Sequence, residues 1–329
     1  MDHDERGLAS RAAWLSYIGG LTQEDIAQRL KISRIKVNRL IAAAHQAGII
    51  RVFVEGDIAP CLTLESALTS RFGLSFCRVA PDLGEDDLPL KTLTSAGAHY
   101  LNGELDRLGA GTIGIGHGRT LAGLVDRLPR IKRPRLKCVS LLGSLTRKSA
   151  ANPHDVIHQL AELTGGEGYF MPAPLFVDSL EDKRVVMGQK SLLHVLRLAS
   201  EAQIYVIGIG EVGPDAQLIH SGMITHGEAE ALVAAGAVGE ILGCYFDADG
   251  RPIDAEINRR AIHVALDALA GKEVVAIAGG PAKVEAIDAV LRSGLFTGLI
   301  TDERTAARLA KDDVRRKPDR HQDGRDTAA

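Results

Sequence analysis

The chain has 329 residues, of which 45% are hydrophobic and 25% charged, and a formal net charge of −3. That is the make-up of a globular protein long enough for two domains; it excludes a disordered chain and, taken whole, argues against a nonspecific nucleic-acid binder, whose surface should be basic. No apolar run reaches the ~18 residues needed to span a bilayer. The first ten residues are acidic and polar, unlike a signal peptide, and Cys61, Cys77, Cys138 and Cys244 form no CxxC pair, as expected of a reducing cytoplasm without structural zinc.

Charge is unevenly distributed along the chain. Residues 1–55 carry eight Lys/Arg and six Asp/Glu, a net of +2, while the remainder carries 31 and 36, a net of −5. Arg29, Lys31, Arg34, Lys36, Arg39 and Arg51 form a stretch that no acid interrupts. A small basic head on a larger acidic body predicts two separate jobs.

Helical periodicity runs through residues 8–50, with Ala12, Leu15 and Ile18, then Ile26, Ala27 and Leu30, then Val37, Leu40 and Ile41. Within it, residues 23–40 fit a helix-turn-helix that starts at Gln23. Ile26, Leu30, Ile32, Val37 and Leu40 fall where two crossed helices interlock, and Ala27 is small where the second helix crosses. Thr22 is placed to cap the first helix with Asp25 as its partner, and Ser33 to cap the second. The second helix then exposes Arg34, Ile35, Lys36, Asn38 and Arg39 in its first turns. Arg and Asn suit bidentate hydrogen bonds to base edges, whereas Lys36 and Lys31 suit phosphates. Lys31 occupies a turn position that glycine often fills, at a cost of roughly 1 kcal/mol. A three-helix core with a merely solvated basic face is the alternative reading.

Ile49–Val54 reads as a short strand, a wing or the exit to the next domain, and 56–60 as a linker. Beyond it, apolar runs at 76–80, 112–116, 138–142, 203–208, 240–246, 273–278 and 299–301 predict strands. They alternate with predicted helices at 63–72, 90–105, 119–128, 153–164, 188–200, 227–235, 255–270 and 281–293. Such alternation predicts a doubly wound α/β domain. The boundaries expected are 1–55, 56–311 and a charged flexible tail at 312–329.

Glycine-rich turns mark the candidate ligand site. The G-x-G-x-x-G match at 109–114 precedes its strand, and the one at 208–213 places Glu211 where a pyrophosphate would sit, so neither predicts a dinucleotide site. Gly116-His117-Gly118-Arg119-Thr120 follows a strand and opens a helix, which suits an anion. Gly279, Gly280 and Lys283 repeat the logic after a later strand; a lysine in a first turn opposes the helix dipole and so points to an anionic ligand. Tight turns and a solvated lysine are the plainer readings. Asp247 ends a strand and is placed to accept hydrogen bonds from ligand hydroxyls. His154 and His158 share a helix face without a third ligand and read as surface or packing residues. Neither a cofactor nor a metal is expected.

In this order the motifs resemble the SorC/DeoR-type sugar-binding transcriptional regulators. The resemblance is carried by residues 20–27 and 32–34 in the head, and by 114–121, 141–144, Asn152-Pro153, 171–174, 236–241, 278–283 and 299–303 in the body. It implies a winged helix-turn-helix, with Thr22, Gln23, Ser33, Arg34, Lys36, Asn38 and Arg39 toward operator DNA. It also implies an effector domain akin to ribose-phosphate isomerase and glucosamine-phosphate deaminase, a phosphorylated sugar or polyol as effector, and a homotetramer. Carried over by motif, the phosphate lies between Gly116–Thr120 and Gly279–Lys283, and Gly143, Ser144, Asn152 and Asp247 line the hydroxyl end. His117 stands where an aromatic is common, and Glu240 where Asp is usual.

A transcription factor without enzymatic activity is the reading that follows. A sugar-phosphate isomerase or deaminase is the alternative, weakened because no carboxylate pair for proton shuttling is visible along the chain. A protein-interaction module built on residues 8–50 is a third.

Overall fold

The computed structural model describes residues 3–50, 59–145, 156–214 and 216–311. It resolves into two compact units, Met1–Gly56 and Asp57–Ala329. The predicted strand at 49–54, most of the linker, Asn152, His154 and the tail lie wholly or largely outside the described residues.

The first unit is built on three helices, α1 (His3–Tyr17), α2 (Gln23–Leu30) and α3 (Arg34–Gln46). Ala9, Ala12 and Ala13 of α1 let the other helices approach closely, and Ile26, Val37 and Leu40 fill the space between them. Leu30 and Ile32 pack at the edge of this core. Ile18, expected on the buried stripe, is instead 72% exposed, because α1 stops at Tyr17 and the chain turns through Gly19 and Gly20.

The second unit holds a seven-stranded, wholly parallel sheet. Its strands are β1 (Phe76–Ala80), β2 (Thr112–Ile115), β3 (Lys137–Ser140), β4 (Glu167–Tyr169), β5 (Ile204–Ile207), β9 (Glu273–Ile277) and β10 (Gly298–Asp302), in the order β1-β10-β9-β5-β2-β3-β4. A small antiparallel sheet combines β6 (Gly210–Glu211), β7 (Gly239–Ile241) and β8 (Cys244–Phe246). The two-residue period of a strand sends alternate side chains to opposite faces. Ile204, Val206, Val275 and Ile277 therefore meet the helices Leu90–Leu108, Arg119–Val125 and Val156–Thr164 on one side. Tyr205, Ile207, Val274 and Ala276 meet Ala59–Phe72, Lys190–Ser200, Val284–Leu291 and Glu303–Leu309 on the other. Helices on both faces of a parallel sheet make the fold doubly wound.

Each of the seven apolar runs forms strand, but two expected elements are divided. Residues 240–246 form the hairpin β7–β8, which turns at Leu242 (φ 55°) and Gly243 (φ 83°). Residues 255–270 break after Glu256–Arg260; the chain then runs extended, with Ile262 donating to Leu175 O at 2.7 Å and Val264 to Leu141 O at 2.8 Å, before a 3-10 turn at Leu266–Leu269. Buried pairing with neighbouring chain wins there over helical periodicity.

Strand order locates the site. From β2 the chain moves outward through β3 and β4, then returns to lay β5 on the other side of β2 and continues to β9 and β10. The loops leaving β2 and β5 thus open at the point where the winding reverses, where such sheets bind ligands.

Candidate functional site

In the first unit, Thr22 and Asp25 form a reciprocal capping box: the Thr22 Oγ1 accepts from Asp25 N at 3.2 Å, and Asp25 accepts from Thr22 N at 3.2 Å. Lys31 takes the left-handed conformation, φ 54° and ψ 45°, that turns the chain between the helices. Ser33 then caps α3 by accepting from Lys36 N at 3.2 Å. This start leaves Arg34, Lys36, Asn38 and Arg39 exposed beside Ile35, which is 84% exposed, while Val37 and Leu40 face inward. Arg39 lies 3.8 Å from Glu5. Gln23 is half-buried at the first position of α2. Two helices, a tight turn and a basic exposed first turn on the second are the arrangement that reads a major groove.

In the second unit, Gly116 is buried at the end of β2 and donates to Val206 O of β5 at 2.9 Å. His117 follows, half-buried, with Nε2 3.1 Å from Ser140 Oγ at the end of β3. The Ser140 hydroxyl proton goes to Leu142 O at 2.7 Å, so Nε2 carries the hydrogen of the His117 contact. Gly118 (φ 132°) precedes the helix Arg119–Val125; Arg119 is exposed there and Thr120 half-buried.

On the other side of β5, the chain leaves β9 through Gly279 and Gly280 (φ 101°). Gly280 N donates to Asp302 Oδ2 at 3.1 Å and Thr305 Oγ1 at 2.8 Å, which fixes the loop on two buried side chains, one at the end of β10 and one in the helix Glu303–Leu309 that follows it. A Cβ on Gly279 would lie 2.2 Å from the same Asp302 oxygen, so a side chain there would push Asp302 off its bond to Gly280 N. The 3-10 turn Pro281–Lys283 follows, and Lys283 turns back across the end of β5. Its ammonium donates to Ile209 O at 2.7 Å and lies 3.1 Å from Glu211 Oε2, with both side chains about one-fifth exposed (20% and 19%).

Glu240 completes this group. It stands opposite Gly210 in the β6–β7 ladder, and its Oε1 accepts from Gly243 N. A Cβ on Gly210 would lie 2.3 Å from Glu240 Oε2, so the strand carries glycine where the carboxyl packs against it. Burial pushes the Glu240 carboxyl up to about 7, with Glu211 adding to the rise and the Gly243 N–H and Lys283 opposing it. Two carboxyl groups, Glu211 and Glu240, thus stand on paired strands and act on each other electrostatically, although nothing in the linear sequence pairs them.

The remaining predicted residues divide. Gly143 lies where a Cβ would meet Pro174 O at 2.3 Å; Ser144 N donates to Ala173 O at 2.8 Å and Ser144 O accepts from Leu175 N at 3.0 Å. Both hold the 141–144 turn against 173–175, next in the sheet to His117's strand. Asp247 is not brought to the site. Its Oδ1 accepts from Asp249 N and Arg251 N, each at 2.9 Å, and so closes its own turn. That turn packs at Gly250 against Ala289 and Ser293, at the end of Val284–Leu291 opposite Lys283. Among the described residues no cluster of ligand-type side chains could hold a metal, and no helix is long and apolar enough to cross a membrane.

Glu211 and Glu240 join this cluster without being among the predicted site residues, although the sequence reading notes Glu240 as standing where Asp is usual. The signal was present: Gly208-x-Gly210-Glu211 follows a strand, and an acid that excludes a pyrophosphate can serve as the partner of a nearby lysine.

The family model for a sugar-binding domain matches residues 57–311, nearly all of the second unit. The chain is a SorC-type sugar-binding transcriptional regulator. This SorC-type chain is 46% identical over 302 residues to the erythritol catabolism regulatory protein EryD of Brucella abortus, covering 92% of this chain and 96% of that one. It is 36% identical over 307 residues to the transcriptional regulator LsrR of Klebsiella pneumoniae, covering 92% of each. The solved full-length sorbitol operon regulator SorC from Klebsiella pneumoniae shares the fold, with a TM-score of 0.72 at 24% identity over 94% of this chain and all of that one (100%).

Proposed function

We propose that this regulator controls a polyol or carbohydrate catabolic operon through a phosphorylated polyol bound at the C-terminal ends of β2, β5 and β9. The observation that carries this reading is Lys283. A lysine at the start of a helix opposes the helix dipole, and this one is held half-buried by Ile209 O and Glu211 at the point where the sheet reverses its winding. Beyond Gly116, whose N–H is held by Val206 O, His117, Gly118, Arg119 and Thr120 supply backbone N–H groups, an imidazole, a guanidinium and a hydroxyl across β5 from it. We place the phosphate between these two loops. The hydroxyls fall toward Glu211, Glu240, Gly143 and Ser144 in place of Asp247, and Asn152 is assigned to them by the motif alone. Because EryD is named for erythritol catabolism, erythritol 4-phosphate is the first effector to test.

The first unit is the DNA-binding part in this reading. Arg34, Asn38 and Arg39 meet base edges, and Lys36, Thr22, Gln23 and Ser33 the backbone. Heads paired in a homo-oligomer, a tetramer by the family resemblance, match a palindromic operator in the cytoplasm. Effector binding changes the affinity of the whole for DNA through the reciprocal coupling that any two linked sites obey. Catalysis is not assigned. The Glu211–Glu240 pair keeps the isomerase or deaminase reading testable: purified protein should leave ribose 5-phosphate and glucosamine 6-phosphate unconverted, and turnover of either reverses the assignment.

The test is calorimetric titration of the full chain with erythritol 4-phosphate and with erythritol. Binding of the phosphate ester in preference to the free polyol supports the reading; binding of neither, or of the free polyol alone, overturns it.

A further inference from the structure

The cluster of Lys283, Glu211 and Glu240 has an unequal charge balance. One ammonium faces two carboxyls, and Glu211 has the first claim on it at 3.1 Å. Among the described residues Glu240 has no cation in contact; its Oε1 takes a backbone N–H from Gly243, and its Oε2 lies against Gly210. A phosphate dianion drawn to Lys283 adds two negative charges beside whatever Glu240 carries, where Lys283 and Glu211 are only about one-fifth exposed. In the proposed site Arg119 and His117 meet the phosphate from across β5, so on this side a proton on one carboxyl relieves the excess of negative charge. Glu211 keeps Lys283 as its ion-pair partner, which leaves Glu240.

We infer that Glu240 enters the occupied effector site as a neutral carboxylic acid, so that binding of the effector's phosphate takes up a proton from solvent. The inference rests on the effector reading above. A carboxylic acid held neutral in a binding site is an established device for accommodating a developing or incoming negative charge.

Two groups of the proposed site can take the proton, the Glu240 carboxyl and the His117 imidazole across β5, and the geometry around Glu240 favours the carboxyl. Glu211 on β6 and Lys283 in the 3-10 turn are its charged neighbours. On β8, Cys244 and Tyr245 are buried and their ionisations are pushed upward, the thiol to about 12, so both stay neutral across the relevant range. The helix Val284–Leu291 packs against β7 through Ala286 and Val290, which lie at Gly239. Of its acids, Glu285 is exposed and Asp288 is paired with Arg71 and Arg292. Since burial already holds the free Glu240 near neutrality in its titration, a modest added charge suffices to keep the proton on.

Calorimetric titration of the full chain with erythritol 4-phosphate, in buffers of different ionisation enthalpy at pH 8, reads the proton directly. A phosphate monoester with a second pKa near 6 is already a dianion there, so its own titration contributes little. The wild type should take up at least about half a proton per site, and its Kd should rise toward tenfold per unit between about pH 7.5 and 8.5. Glu240→Gln should abolish the uptake and flatten that rise to less than about twofold. Binding without uptake in the wild type, or equal uptake in Glu240→Gln, overturns the inference while leaving the effector reading standing. Absence of any binding overturns both. The wild-type buffer series decides by itself if the variant does not fold.

Discussion

Lys283 Nζ lies 3.1 Å from Glu211 Oε2 while donating to Ile209 O, so two strand ends that are far apart in sequence are tied by one ammonium. In the proposed effector site the same ammonium is a positive charge that faces the phosphate. Its pairing with Glu211 keeps it in place, and it also sets what an incoming anion has to displace or share.

Lys283→Ala should remove the response to effector and leave operator binding by the first unit within about twofold, a difference of about 0.4 kcal/mol. It also strands Glu211 in a partly buried position, which costs on the order of 1–3 kcal/mol, less than for a fully buried pair. DNA-binding titrations with and without erythritol 4-phosphate, beside a thermal melt, check both effects. Equal loss of DNA binding and effector response in a folded variant contradicts the division of labour.

Glu240 also makes the second unit's stability depend on pH. Burial raises its carboxyl from 4.5 to about 7, so the folded state holds the proton more tightly than the unfolded chain. The stability this contributes is complete below the unfolded value and is lost as pH climbs from 4.5 through 7. Glu240→Gln should therefore stabilise the unit by on the order of 1–3 kcal/mol at pH 8 and change it little at pH 4. Denaturant titrations at the two pH values test this, and a destabilised variant at pH 8 contradicts it.

Lys31 is a non-glycine residue at φ 54°. Lys31→Gly relieves that strain and should stabilise the first unit by about 1 kcal/mol in denaturant titration, partly offset by greater freedom of the unfolded chain. Loss of one exposed cation should at the same time lower the slope of log K against log salt by about one phosphate contact, if Lys31 meets DNA. A destabilised variant contradicts the turn assignment.

Gly143→Ala tests the close approach of the 141–144 turn to 173–175. The added Cβ meets backbone at Pro174 O, 2.3 Å away, which cannot yield as a side chain does. We expect a loss of at least about 2 kcal/mol in thermal unfolding. A melting temperature equal to the wild type contradicts the geometry of that turn.

The sheet was legible because alternation along its strands is strong: Ile204 and Val206 against Tyr205 and Ile207 need a buried face on both sides. The head was legible for a second reason, since Thr22, Asp25 and Ser33 are capping types in capping positions and the structure uses them so. β4 was missed because Glu167–Tyr169 is a short, exposed edge with no apolar period. β6 was missed because two residues carry no period at all. The hairpin β7–β8 looked like one strand because Leu242 is an unusual residue at positive φ and hides the turn. In the site, glycine loops were readable from local chemistry, whereas the Lys283–Glu211 pair joins residues 72 positions apart and needs the fold to be seen. Asp247 lies apart from these loops for the opposite reason. A carboxyl beside Asp249-Gly250 satisfies its own turn first, and local demand outweighs a distant ligand.

The most direct test of the whole account is fluorescence anisotropy of the full chain on DNA from immediately upstream of its own gene, against random DNA of equal length, with and without erythritol 4-phosphate. The account predicts preference for the upstream DNA, affinity that falls steeply with salt, and a shift of that affinity on adding the phosphate ester that Lys283→Ala abolishes. Equal binding to both DNAs, or an affinity for the upstream DNA that the ester leaves unchanged, contradicts it.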